Sequence, residues 1–102
     1  MAYTVCATWV AREGEEDAVA AALGHIYAGA LQEDYVLAYV FHRDPGNPRR
    51  FFFYEQYADA DAYERHLQAP YVLEHGFRDA IPRLESRERV FWETWQPGTP
   101  DA

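Results

Sequence analysis

The stretch FYEQYADADAYERHLQAPY, Phe53 to Tyr71, holds one histidine and a carboxylate set in an apolar run. His66 falls three residues after Tyr63 and beside Leu67, on the flank of the inward face of a helical pattern. A partly buried imidazole near its neutral pKa can take a proton from a phenol or quinol. The same side chain can instead bond a carbonyl and close the helix end. Glu55 lies in an otherwise apolar strand, so its carboxylate is either at an edge or paired. Buried and partnered, it would orient a histidine or accept a proton with a perturbed pKa. As a structural residue it would pair with an arginine such as Arg89.

Aromatic residues surround these two in number. Trp9, Phe53, Tyr57, Tyr71 and Trp92 are candidates to line a flat pocket between sheet and helices, suited to planar polycyclic or quinone-like molecules. The alternative is that they are plain core. Strand alternation sends Phe53 and Tyr54 to opposite sides, so only one of them can face such a pocket. Gly76 falls on an inward helical stripe, where it leaves volume at a cost of about 1 kcal/mol relative to Ala. That volume is either room for a ligand or close helix-to-sheet contact. His75 is expected on the solvent side near Glu74 and Arg78, His25 points away from its helix's stripe, and His42 ends a strand. The chain has no glycine-rich phosphate loop, no Cys/His cluster and no His-x-x-x-His pair, so neither a metal nor an organic cofactor is expected.

The elements that must position these groups follow from periodicity. Tyr3 to Ala11 alternates as a strand. Val19, Ala22, Leu23, Ile26, Tyr27, Ala30 and Leu31 then form one helical stripe, with Glu15, Glu16 and Asp17 in the first turn, where the dipole favours negative charge. Two aromatic runs, Tyr35 to His42 and Phe51 to Tyr57, flank a turn-forming RDPGNPRR and predict a hairpin with a longer loop. Asp61 and Glu64 have capping-box spacing for a second helix. Pro70 begins or continues a further helical segment with the stripe Leu73, Phe77, Ala80, Ile81 and Leu84. Arg87 to Trp95 is a last strand. The order β-α-β-β-α-β predicts an α+β, ferredoxin-like domain over residues 1–96 with a four-stranded antiparallel sheet, and a frayed tail over 97–102. Two helices cover only one sheet face, yet VLAYVF and FFFY are apolar on both. A homodimer built sheet to sheet is therefore expected.

Composition narrows the partners. The 102 residues carry a formal net charge of −8, which repels phosphate backbones and anionic lipid, so neither nucleic acid nor membrane is an expected partner. The single cysteine, Cys6, forms no disulfide framework within the chain. The N-terminus lacks the features of a signal peptide, and no apolar run nears the ~20 residues of a bilayer span. A cytoplasmic location is expected.

The aromatic-Glu-x-aromatic strand at Tyr54-Glu55-Gln56-Tyr57, the acidic helix ending in His66-Leu67-Gln68-Ala69-Pro70 and the HRDP hairpin together resemble the antibiotic biosynthesis monooxygenase (ABM) family over almost the whole chain. The resemblance implies a dimeric α+β barrel. It also implies a cofactor-independent monooxygenase that oxidises a quinol, an anthrone or a similar aromatic polyketide-type substrate with O2. His66 would be the base, with Glu55 assisting. An isomerase acting on a small carbonyl compound, or a non-catalytic ligand-binding or dimerisation module, would use the same residues. Where the family pattern has a second histidine after the proline this chain has Tyr71, and Glu33-Asp34-Tyr35 replaces the usual Glu-Pro-Gly turn. The positions corresponding to the asparagine and histidine of the haem-degrading members hold Trp9 and Gly76, which argues against haem.

Overall fold

A computed structural model describes residues 1–98, so most of the expected tail, residues 99–102, lies outside the described residues. Four strands form one antiparallel sheet: β1 (Tyr3–Ala11), β2 (Val36–Asp44), β3 (Asn47–Tyr57) and β4 (Leu84–Glu93), in the spatial order β2-β3-β1-β4. Helices α1 (Glu16–Ala30), α2 (Ala60–Leu67) and α3 (Val72–Ala80) complete the expected ferredoxin-like architecture.

Local chemistry sets most element ends. Helix α2 begins at Asp59, whose carboxylate accepts from the Ala62 amide at 2.8 Å. The cap thus lies two residues upstream of the expected Asp61, because Asp59 is the residue with extended backbone at the helix entry. The hairpin is tighter than expected. Asp44 pairs directly with Asn47, and its side chain accepts from the Gly46 amide at 2.8 Å, so the loop closes in Pro45-Gly46.

The core lies between the sheet and the helices. Val19, Ala22, Leu23, Ile26 and Ala30 of α1 are buried as the stripe predicts, each larger one contributing about 1.5–3 kcal/mol. Tyr27 and Leu31 are exposed instead, at the margin of that stripe. Helix α3 is wound at the wider π pitch and buries Val72, Gly76 and Ala80. The wider turn rotates Phe77 to the surface and leaves Leu73 half-buried, which corrects the expected stripe. His75 is half-buried and stacks on His25 with ring centroids 4.3 Å apart, where the sequence placed both imidazoles apart on outward faces.

Register fixes what each face of the sheet carries. Val5, Ala7 and Trp9 of β1 stand opposite Glu55, Phe53 and Phe51 of β3 on the helix-covered side. In β2 the same side presents Tyr39, Phe41 and Arg43, and in β4 it presents Arg87, Arg89 and Phe91. The other side presents Val40, Phe52, Val90 and Trp92 with no element over them. Among the described residues no helix is long and apolar enough to cross a membrane.

Candidate active site

Glu55 and His66 meet on the covered side of the sheet. Glu55 enters from near the end of β3, a central strand, and is 5 % exposed. His66 comes from the last turn of α2 and is 2 % exposed. Both line one cavity of about 50 Å³, together with Trp9, Phe53, Tyr63, Arg87 and Arg89.

Hydrogen bonding makes Glu55 the electrostatic centre. The Tyr57 hydroxyl donates to its Oε1 at 2.5 Å. The nearby Tyr39 hydroxyl also favours the carboxylate form. Burial drives the carboxyl up to about 7, against the opposing pull of these hydroxyls and of the Arg89 charge. The expected Glu55–Arg89 pairing is only this Coulombic influence. The Arg89 Nη1 donates to the Tyr63 hydroxyl at 2.7 Å instead. Burial and the neighbouring Glu55 charge raise the Tyr57 and Tyr39 hydroxyls well above the usual tyrosine range, so both remain donors.

His66 is neutral for the same reason that the Glu55 carboxyl is raised, since burial disfavours the charged form of each. Burial lowers its pKa to about 4. The ring sits 5.1 Å from that of Tyr57 and 5.7 Å from that of Tyr39, and Nδ1 shares a hydrogen bond of 3.1 Å with the Tyr71 hydroxyl. With Nδ1 engaged, Nε2 is the nitrogen left for the cavity. Tyr71 owes its position to Gly29. Its ring lies flat on α1 where a Cβ on Gly29 would overlap it. Packed in this way against α1, Tyr71 places its hydroxyl at His66 Nδ1.

Of the expected aromatic lining, Trp9 and Phe53 border the cavity and stack edge to face at 4.9 Å. Tyr57 and Tyr71, expected in the lining, do not border the cavity; they stand behind it, bonded to Glu55 and His66. Trp92 does not belong. It pairs across from Thr4, on the opposite face of the sheet from Trp9, and is 59 % exposed. Alternation in β4 places Arg89 and Arg87 inward and Trp92 outward, which the sequence reading missed. The charged side of that alternation was the available signal, since two arginines share the parity of Phe91. Tyr39 and Tyr63 were also missed, because their proximity depends on the β2–β3 register and on the path of α2. Among the described residues no group of three or more His, Cys, Asp or Glu side chains could hold a metal ion.

The strand carrying Glu55, the α2 end carrying His66 and the segment through Gly76 all fall within residues 2–76, which match the antibiotic biosynthesis monooxygenase profile. The chain belongs to this family. Its fold is shared by solved structures. PA3566 from Pseudomonas aeruginosa is 25 % identical, with a TM-score of 0.86 over 93 % of this chain and 95 % of that one. A structure described as an antibiotic biosynthesis monooxygenase is 19 % identical, with a TM-score of 0.85 over 92 % of this chain and 99 % of that one. Rv0793 from Mycobacterium tuberculosis is 16 % identical, with a TM-score of 0.86 over 97 % and 100 %. At these lower identities the last two attest the fold alone. No curated protein matches the sequence.

Proposed function

We propose that this ABM-family protein is a cofactor-independent monooxygenase that oxidises an electron-rich phenol, quinol or anthrone with O2. The observation that carries the reading is a buried carboxyl, Glu55, poised at about 7 beside a guanidinium and a neutral imidazole in an aromatic cavity. A base works best with a pKa near the working pH. That favours Glu55 as the proton acceptor over His66, whose pKa of about 4 makes it a poor base. His66 and Arg89 then hold the resulting oxyanion, His66 through Nε2 and Arg89 through its positive charge. The substrate anion supplies one electron to O2, and the radical pair recombines into a carbon-bound peroxide. Loss of water from the peroxide leaves the carbonyl, so that a substrate methylene and one dioxygen become a carbonyl and one water. Low polarity in the cavity keeps competing water from the anion.

The unpartnered apolar face of the sheet supports a homodimer, closed by a second copy of the same face. The lone cysteine and the negative charge suit a cytoplasmic protein with a small-molecule substrate.

A second reading is favoured by the cavity's size. At about 50 Å³ it holds a few waters or one O2, and no aromatic ring. A ligand-binding module without chemistry would show the same packing around His66. Oxygen uptake by chelator-treated protein on anthrones and naphthoquinols, corrected for autoxidation, separates the two. The oxygenase reading expects Glu55→Gln to lose 10²–10⁴-fold in rate, as for a lost general base, and His66→Ala to lose less. Uptake no faster than the uncatalysed control across the panel would leave the binding module.

A further inference from the structure

A second and wider concavity lies apart from the one beside His66. A groove of about 570 Å³ runs between α1 and the β2 edge, a volume in the range of small-molecule sites. Its walls are Leu23, Gly24 and Tyr27 on α1 and Tyr39, Phe41 and Arg43 on β2, with Phe51 at the base. Three observations make it more than an unfilled seam. First, the walls are built for flat rings. Tyr39 and Phe41 stack at 4.7 Å and 18°, and Tyr27 meets Phe41 edge to face at 5.6 Å. Second, Gly24 sits mid-helix, where glycine is unfavourable, yet a Cβ there would meet nothing within 4 Å. Its missing side chain widens the groove and relieves no clash. Third, Arg43 is an uncommitted cation on a protein of net charge −8. Its Nε donates to the Pro48 carbonyl at 2.8 Å and its guanidinium lies 4.8 Å over the Phe51 ring. It makes no ion pair among the described residues, since the adjacent Asp44 pairs with Arg50 at 3.4 Å. The other polar side chain at this rim, His42, is turned to the Phe52 carbonyl at 3.3 Å.

We propose that this groove binds a planar aromatic acid, its rings between Tyr27 and the Tyr39–Phe41 pair and its anionic group on Arg43. The fixed guanidinium fork presents its terminal N–H groups to a carboxylate, and its position over Phe51 keeps it there. Tyr39 is shared by the two sites. One side of it walls the groove, while its hydroxyl serves Glu55 and its ring lies 5.7 Å from that of His66. As a ligand site the groove stands on its own geometry. As the place from which substrate reaches Glu55, it rests on the oxygenase reading, and names an acidic aromatic as the substrate class.

The test uses a redox-inert pair of probes, 3-hydroxy-2-naphthoate and neutral 2-naphthol, titrated against the full chain with backbone amide shifts as readout. Shifts should concentrate at residues 23–27 and 39–43. The acid should bind about tenfold tighter than the naphthol, and Arg43→Gln should abolish that preference while sparing naphthol. Gly24→Leu should block both probes with no loss of thermal stability, since leucine is the better helix former and has space. Equal affinity for the two probes in the wild type would overturn the anion anchor. No shift at millimolar probe, shifts on the uncovered sheet face, or undiminished binding to Gly24→Leu would overturn the site. Oxygen uptake on 1,4-dihydroxy-2-naphthoate is measured separately. Groove binding without uptake upholds the site and removes the oxygenase. Uptake that Gly24→Leu leaves unchanged upholds the oxygenase and overturns the groove as its substrate site.

Discussion

Strand β4 turns Arg87 and Arg89 toward the helices and Val90 and Trp92 away from them. A sheet with one solvated face normally does the reverse, apolar inside and polar outside. The inversion is not confined to β4. In β3 the covered face holds Glu55 while the uncovered face shows Phe52, and in β2 the uncovered face shows Val40. Arg87 and Arg89 stay solvent-exposed at the sheet edge, but a carboxyl buried as Glu55 is under the helices is costly unless something uses it. Apolar groups left in the open are costly unless something covers them. The two faces thus make separate demands, one for chemistry and one for a partner, and each can be broken without the other.

The largest effect is expected on the uncovered face. Wild-type protein should run in light scattering at about twice the 11.8 kDa of the chain. Placing charge on that face with Phe52→Glu and Trp92→Glu should reduce it to a single chain at micromolar concentration. Neither residue touches Glu55 or His66, so the covered face should keep its fold. A wild type that is already monomeric would end the argument that this face needs a partner.

On the covered face the expected effect is an opposed pair of pH dependences. The Glu55 carboxyl is raised from 4.5 to about 7, so the folded chain holds a proton that the unfolded chain releases. Its contribution is present below about 4.5 and is lost as pH rises through 7, roughly 3 kcal/mol in all. His66 is lowered from 6.5 to about 4, so its contribution is present above 6.5 and is lost as pH falls through 4, by a similar amount. In the wild type the two nearly cancel between about 4.5 and 6.5. Urea titrations across this range should show it. Relative to wild type, Glu55→Gln gains stability as pH rises from 4.5 to 7, and His66→Gln gains it as pH falls from 6.5 to 4. Parallel curves for all three proteins would mean that neither group is buried as the structure has it.

The sequence carried the architecture because strand alternation and helical stripes are local properties. Tyr3 to Ala11 and Val19 to Ala30 could be read without knowing what packs on them. It also singled out Glu55 and His66, since a carboxylate in an aromatic strand and a histidine on an inward flank are visible as exceptions. What it did not carry is register. Trp92 and Trp9 look alike along the chain, but Trp92 stands opposite Thr4 and Trp9 opposite Arg87, which sends the two indoles to opposite faces. Tyr39 joins Glu55 only because β2 pairs with β3 in a register interrupted near Val36. Helix pitch was equally hidden. Nothing local in Val72 to Ala80 announces π winding, and the turn moves Phe77 from the expected core to the surface.

The finest break is at Gly29, where one methyl group tests whether Tyr71 holds His66. Alanine in an exposed helix ordinarily gains about 1 kcal/mol over glycine. Here the added carbon would overlap the Tyr71 ring, so Gly29→Ala should instead cost about 1–3 kcal/mol as the ring is displaced. Displacement takes the Tyr71 hydroxyl from His66 Nδ1, and the imidazole then loses the bond that fixes its tautomer. Imidazole nitrogen shifts in Gly29→Ala should therefore move toward those of Tyr71→Phe, which removes the hydroxyl and keeps the ring. Pairing Gly29→Ala with Tyr71→Leu should cost less than the sum of the two, because the smaller side chain clears the clash. If Gly29→Ala stabilises the protein as it would any open helix, and the His66 nitrogens do not move, the tyrosine is not held by that close approach. The neutral imidazole must then take its orientation from the rings of Tyr57 and Tyr39 alone.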